Sequence, residues 1–182
     1  WHAKEFARLS PTSDGCRQVY EEGVGILELY DEVPLVLAAL RRVGVPLAVA
    51  SASSAEDTAF ALLETFELGP DTMTIEMSKA DGERGKASML RNISARLGVS
   101  VECLVLFDDK REHLTQARDI RAGGRLVDPR NGLTAAALLG GLEAHATELR
   151  RRERLHIDDD DLTEAERKIT NKEEQRLAKQ KR

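Results

Sequence analysis

The sequence predicts an α/β fold, a three-layer sandwich with helices on both faces of a parallel sheet and a small β-hairpin inserted near its start. Two observations carry this. Val45 to Ala50 and Leu104 to Phe107 are short apolar runs without alternation, the pattern of strands covered on both faces. Segments of helical periodicity separate and follow them, and strands alternating with such helices build βαβ units around a parallel sheet.

Ahead of Tyr30 the pattern differs. Asp14–Gly15 is a turn signal, and Arg17 to Tyr20 with Ile26 to Leu29 flank a second turn at Glu21–Glu22–Gly23, which predicts a hairpin within about residues 10–29. Pro34 suits a first helical turn, and Leu35, Val36, Ala39 and Leu40 repeat at helical spacing up to Gly44. Val45–Ala50 is then a strand. Ser53 with Glu56 is a capping-box pattern, opening a helix that carries Phe60, Leu63 and Phe66 and closes near Gly69. Thr72 to Met77 reads as a short strand. Gly85–Lys86 leads into a helix with Leu90, Ile93 and Leu97, stopped by Gly98. After the strand at Leu104–Phe107, residues Leu114, Ala117 and Ile120 mark a helix, Arg125–Val127 a last strand, and Thr134–Leu149 a closing helix.

The chain of 182 residues is 41% hydrophobic, enough for one core, yet only 4% aromatic, so Leu, Val and Ala must fill it. A net charge of −5 argues against a nucleic-acid binder, which shows a basic face. Nineteen of the last 32 residues are charged, ten basic and nine acidic, so the acidic excess belongs to the first 150. Residues 150–182 therefore read as a charged tail, disordered or a solvated helix, that is free to bind a protein partner. Cys16 and Cys103 are the only cysteines. Cys103 falls in the apolar run and is expected as a buried free thiol, and no Cys/His pattern suggests zinc. No apolar stretch approaches a membrane span and no signal peptide is visible, so the expected location is the cytoplasm and no membrane partner is expected.

In open parallel sheets, ligands bind in the crevice outside the carboxyl ends of the strands. Ser51 follows the first buried strand, Asp108 and Asp109 follow the second, and Lys86 opens a helix between them. Singly, each has an ordinary explanation as a cap, a solvated lysine or a first-turn carboxylate. Together they suit one task. A hydroxyl at a strand end near helix-opening amides holds phosphate oxygens, a lysine adds a point charge, and paired carboxylates suit Mg²⁺. Those are parts of a phosphoryl-transfer site lacking a nucleophile.

A strand ending at Ser51, then Lys86, then Leu106–Phe107–Asp108–Asp109 resembles the second, third and fourth motifs of haloacid dehalogenase phosphatases, in that order. The chain is most similar to the magnesium-dependent phosphatase-1 branch. The resemblance also rests on Leu29–Tyr30–Asp31–Glu32–Val33–Pro34, Gly44–Val45–Pro46, Ser13–Asp14–Gly15 and Gly141–Leu142–Glu143, and extends from Trp1 to about His145. It implies a Rossmann-like sandwich over residues 1–149, with the hairpin as a small cap. It also implies a Mg²⁺-dependent phosphatase acting on a phosphorylated small molecule or a phosphoprotein. Ser51 and Ala52 would bind the phosphoryl oxygens, Lys86 would hold phosphate and nucleophile together, and Asp108 with Asp109 would serve Mg²⁺. The family's first motif, a strand ending in Asp-x-Asp-x-Thr, carries the nucleophile and the general acid/base. Trp1 resembles the tryptophan that often follows it, so the expectation is a chain truncated before its nucleophile. Ala52 stands where a basic residue is frequent, and Lys110 where a further acid is common.

A response-regulator receiver uses similar parts, but its acidic pair comes first and its lysine last, an order that rejects it. The competing reading is a non-catalytic protein of the same fold that binds partners through its tail.

Overall fold

The computed structural model describes residues 6–8, 11–12, 15–16, 18–21, 25–53, 55–77 and 85–154. Trp1, Ser13–Asp14, Arg17, the Glu22–Gly23 turn and the tail after residue 154 lie outside the described residues. The chain divides into two compact units, Trp1–Leu142 and Glu143–Arg182.

The first unit opens with short strands: β1 (Phe6–Arg8), β2 (Pro11–Thr12), β3 (Gly15–Cys16), β4 (Gln18–Glu21) and β5 (Gly25–Glu28). β4 and β5 form an antiparallel hairpin with Val19 opposite Leu27 and Tyr20 opposite Ile26. Glu21 belongs to the strand, paired with Gly25, and not to the turn. The insert is also larger than one hairpin, since β1 adds to the second edge of β4 and β2 pairs with β3. Val19 has no exposed surface and packs with Phe66, Leu68, Met73 and Ile75. That burial anchors the insert in the same core as the elements after it.

Helix α1 (Val33–Arg42) has Pro34 in its first turn, and Gly44 turns the chain away at φ +74°. Strand β6 (Ala48–Ser51) pairs in parallel with β7 (Thr74–Met77), and α2 (Glu56–Thr65) links them. Helix α3 (Lys86–Leu97) ends at Gly98, which is left-handed at φ +66°. Strand β8 (Val105–Asp108) pairs in parallel with β9 (Gly123–Leu126) across α4 (Arg111–Asp119). Helix α5 covers 135–154, running past the expected end at Leu149. The α/β class with parallel strand pairs therefore holds.

Several boundaries differ from expectation for local reasons. Ser53 does not cap α2. Its Oγ accepts the Ala55 N–H at 3.2 Å, and the helix starts at Glu56 behind Ala55. Cys103 is exposed, not buried in a strand. Ser100 caps a 3₁₀ turn over Val101–Cys103 by accepting the Glu102 N–H at 3.3 Å, which delays β8 to Val105. The last strand lies two residues early because Gly123 and Gly124 pair with Val105 and Leu106. A Cβ on Gly124 would stand 3.3 Å from Leu114 Cδ2 of α4, so close packing there outweighs the low strand propensity of glycine.

The sequence predicts one parallel sheet, whereas the described strands form separate β6–β7 and β8–β9 ladders. Between β6 and β8 runs an apolar cavity of about 400 Å³, flanked by Ala48 to Ala50 on one side and Val105 to Asp108 on the other. Leu90 and Ile93 of α3 also line it. The cavity explains why β6 is not covered on both faces as predicted. Ala48 is exposed, and Val49, Ala50 and Ser51 are only half-buried.

Two resembling motifs have structural roles that tie distant parts of the chain together. The Tyr30 hydroxyl donates to the Pro129 carbonyl at 2.5 Å, and its ring lies against Gly132, where any Cβ would overlap it. Glu32 Oε2 accepts the Ala135 N–H at 2.8 Å and Thr134 Oγ1 accepts the Ala137 N–H at 3.1 Å. Two side chains thus satisfy first-turn donors of α5. Gly141 is buried where a Cβ would stand 2.7 Å from Cε1 of Phe107. Glycine there lets α5 lie against β8 one residue before Asp108.

Candidate active site

The carboxyl ends of β6 and β8 meet at one lysine. Lys86, the first residue of α3, is buried, and its Nζ donates to the Ala50 carbonyl at the end of β6. The same Nζ lies 3.1 Å from Asp108 Oδ2 at the end of β8, and the two side chains are only 6% and 9% exposed. A lysine drawn so far from water carries a cost that only close carboxylate and carbonyl partners offset. Ser51 follows Ala50 directly, and its Oγ accepts the Ser53 N–H at 3.3 Å. Ser51 and Ala52 are both half-buried beside the lysine's carbonyl partner. Asp109 is exposed, in contrast to Asp108.

Asp108 is held on both oxygens. Oδ1 accepts the Lys110 backbone N–H at 2.9 Å and lies 2.9 Å from His113 Nδ1, while Oδ2 meets Lys86. Burial pushes the Asp108 carboxyl up, but the Lys110 N–H, His113 and Lys86 together outweigh it and hold the group below its ordinary value. A depressed pKa contributes stability that is complete above the unfolded value and disappears as pH falls through the folded one. The stability difference between wild type and Asp108→Asn is therefore expected to stay constant through neutral and mildly acidic pH. It should narrow as pH drops below 3.8, the group's usual value. Urea unfolding at a series of pH values reads this, and a difference independent of pH would show that the Asp108 charge does not stabilise the fold.

His113 was not legible as a site residue. Its side chain is 12% exposed in the first turn of α4, and its Nε2 stands 3.8 Å from Glu112 Oε1. The available signal was its place five residues after Asp108 and three into the helix that Lys110 opens.

The donors present suit Mg²⁺ as part of its shell. Mg²⁺ is held by one or two carboxylates with waters and substrate phosphates completing an octahedron, and Asp108 is a buried, ionised carboxylate with a neighbouring acid. Among the described residues, no three His, Cys, Asp or Glu side chains gather as a complete cage. No helix among them is long and apolar enough to cross a membrane.

Strand ends that share a buried lysine and a largely enclosed carboxylate, beside a hydroxyl, have the chemistry of a site that handles phosphoryl groups. More particularly, the chain belongs to the Acid Phosphatase family, whose profile matches residues 5–148. It is 30% identical to human Magnesium-dependent phosphatase 1 over 120 residues, which is 66% of this chain and 65% of that protein. The match thus spans just under two thirds of the relative's length. The crystal structure of a HAD hydrolase, family IA, variant 3, from Entamoeba histolytica superposes with a TM-score of 0.44 at 19% identity. That superposition covers 53% of this chain and 44% of the other.

Proposed function

We propose that this protein is a Mg²⁺-dependent phosphomonoesterase working through an aspartyl-phosphate intermediate. Its nucleophile would arrive on a strand seated in the cavity between β6 and β8. The observation that carries the reading is Lys86, whose buried Nζ joins the carboxyl ends of both flanking strands. A strand inserted parallel to them would end beside that ammonium, as a nucleophilic carboxylate must. The Ser51 hydroxyl and the Ala52 N–H would then serve the phosphoryl oxygens, and Lys86 would neutralise charge on the phosphoryl group and the incoming carboxylate. Mg²⁺, when bound by Asp108 with Asp109 in support, supplies further neutralisation of the phosphoryl oxygens.

In the reaction this implies, a carboxylate oxygen forms a bond to phosphorus as the ester P–O bond breaks. The leaving oxygen takes a proton from the second aspartate of the same strand. Water, giving a proton back to that second aspartate, then attacks phosphorus as the acyl P–O bond breaks, releasing inorganic phosphate and the carboxylate. Phosphotyrosine or phosphorylated sugar adducts are the substrates we propose, supported by the resemblance to the magnesium-dependent phosphatases.

The test is phosphate release from p-nitrophenyl phosphate by the chain extended ahead of Trp1 with an apolar strand ending in Asp-x-Asp-x-Thr. Turnover is expected with Mg²⁺ and not with EDTA, and Asp108→Asn should lower it by about 10²–10³-fold. A folded extended chain without turnover would favour the non-catalytic reading, and undiminished rates for its Asp108→Asn variant would remove Asp108 from the site.

A further inference from the structure

The Asp108 carboxylate is held asymmetrically. Oδ1 takes two donors from α4 and the residue that opens it, the Lys110 N–H and His113 Nδ1, each at 2.9 Å. Among the described residues Oδ2 takes only Lys86, at 3.1 Å, and Asp108 lines the cavity between the strands. A carboxylate rotates freely about its last bond unless both oxygens are spoken for. One backbone donor alone leaves that rotation loosely restrained. Two donors converging on Oδ1 from different directions fix the plane of the group. The His113 ring is itself enclosed, with 12% exposure, and its Nε2 side carries Glu112 at 3.8 Å. The Asp108 carboxylate oxygen can only accept, so the 2.9 Å contact places a hydrogen on Nδ1, pointing at Asp108.

We propose that His113 is a positioning residue for the cation site. By donating Nδ1–H to Oδ1, it reserves that oxygen for the protein and leaves Oδ2 as the oxygen offered to Mg²⁺ and to Lys86. Asp108, more than the exposed Asp109, would then hold the cation. This rests on the reading of Asp108 as the Mg²⁺ carboxylate. It follows the general behaviour of metal sites, in which a partner hydrogen-bonded to a ligating carboxylate orients it, and loss of that partner typically costs about 10–100-fold in metal affinity.

The test uses Mn²⁺ as a paramagnetic stand-in for Mg²⁺, titrated into the protein and followed by electron paramagnetic resonance of the free ion. Melting temperatures of the same samples are measured in EDTA. His113→Leu keeps the bulk of the ring and removes the donor, whereas His113→Asn places an amide N–H close to where Nδ1–H stands. His113→Leu is expected to weaken Mn²⁺ binding by about 10–100-fold, with His113→Asn within about threefold of wild type. Asp109→Asn should weaken binding less than Asp108→Asn does. A purely structural role for the ring would lower the melting temperature of both His113 variants and leave the Mn²⁺ affinity of the folded protein alone. Equal affinity in wild type, His113→Leu and His113→Asn overturns the proposal while leaving the metal site standing. Absence of Mn²⁺ binding by wild type overturns the metal reading and this inference with it. Should His113→Leu fail to fold, His113→Asn decides alone, since a tenfold loss there contradicts a donor role that its amide can fulfil.

Discussion

Lys86→Met is expected to destabilise the fold by about 3 kcal/mol and to lower phosphate release by at least about 10²-fold. Methionine keeps the length and apolar stem of lysine and removes only the ammonium. What remains is the Asp108 carboxylate, 9% exposed and deprived of its one full counter-charge. Breaking a buried pair by removing one partner usually costs about 3–5 kcal/mol. The lower end applies because the Lys110 N–H and His113 still serve Oδ1. The Ala50 carbonyl at the end of β6 also loses its donor, so the carboxyl ends of β6 and β8 are no longer tied to each other. Urea unfolding in EDTA at neutral pH measures the loss free of any bound cation. The double variant Lys86→Met/Asp108→Leu provides the control, because removing both charges leaves none uncompensated. It should be more stable than the two single variants predict by addition. If Lys86→Met lies within about 0.5 kcal/mol of wild type, the range of an ordinary surface substitution, the ion pair is not a significant element of the fold.

The same pair shows what was readable in the sequence. Lys86 and Asp108 could be found because each sits at the junction of a strand or loop with a helix, and such junctions follow from hydrophobic period and glycine punctuation. The alternation of apolar runs with helical segments also placed β6, α3 and β8 within a few residues. The misplacements share a different cause. Ser53 and Ser100 are both capping residues by type, yet Ser53 bonds the Ala55 N–H just ahead of the helix while Ser100 opens a 3₁₀ turn. Short-range patterns do not separate those outcomes. β9 begins on two glycines because α4 packs against it at Leu114, a contact that local propensity does not anticipate. Tyr30 with Pro129 and Glu32 with Ala135 join residues about a hundred positions apart. His113 belongs to the same group, since its significance lies in an oxygen of Asp108 and not in any pattern of its own. Resemblance marked Tyr30–Asp31–Glu32 and Gly141 without saying what they do. The structure supplies it: Tyr30 and Glu32 are a tether, and Gly141 a close approach between α5 and β8.

The cavity between β6 and β8 leads to the second large effect. Placing an apolar strand that ends in Asp-x-Asp-x-Thr immediately ahead of Trp1 is expected to raise the melting temperature by about 10 °C or more. In the described residues, β6 and β8 are each hydrogen-bonded along one edge only, and the space between them is lined mainly by Leu, Val, Ile and Ala side chains. A parallel strand there would complete both ladders at once. Its new backbone bonds roughly offset the ordering of its own chain, at about 1–2 kcal/mol per residue. The net gain then comes from its apolar side chains, at about 1.5–3 kcal/mol for each one fully buried. In a chain of this size, each kcal/mol corresponds to about 2–4 °C. Amide exchange should slow in β6 and β8 together, because each acquires a second neighbour. A fused strand that leaves both the melting temperature and the exchange of β6 and β8 unchanged would show that this cavity does not accept a strand. Stability and chemistry separate in one further variant. Replacing the first aspartate of the added strand with asparagine should retain the gain in melting temperature and abolish Mg²⁺-dependent phosphate release. Loss of both would mean that the aspartate holds the strand in place through Lys86, and that its carboxylate is needed for the fold as well as for attack on phosphorus.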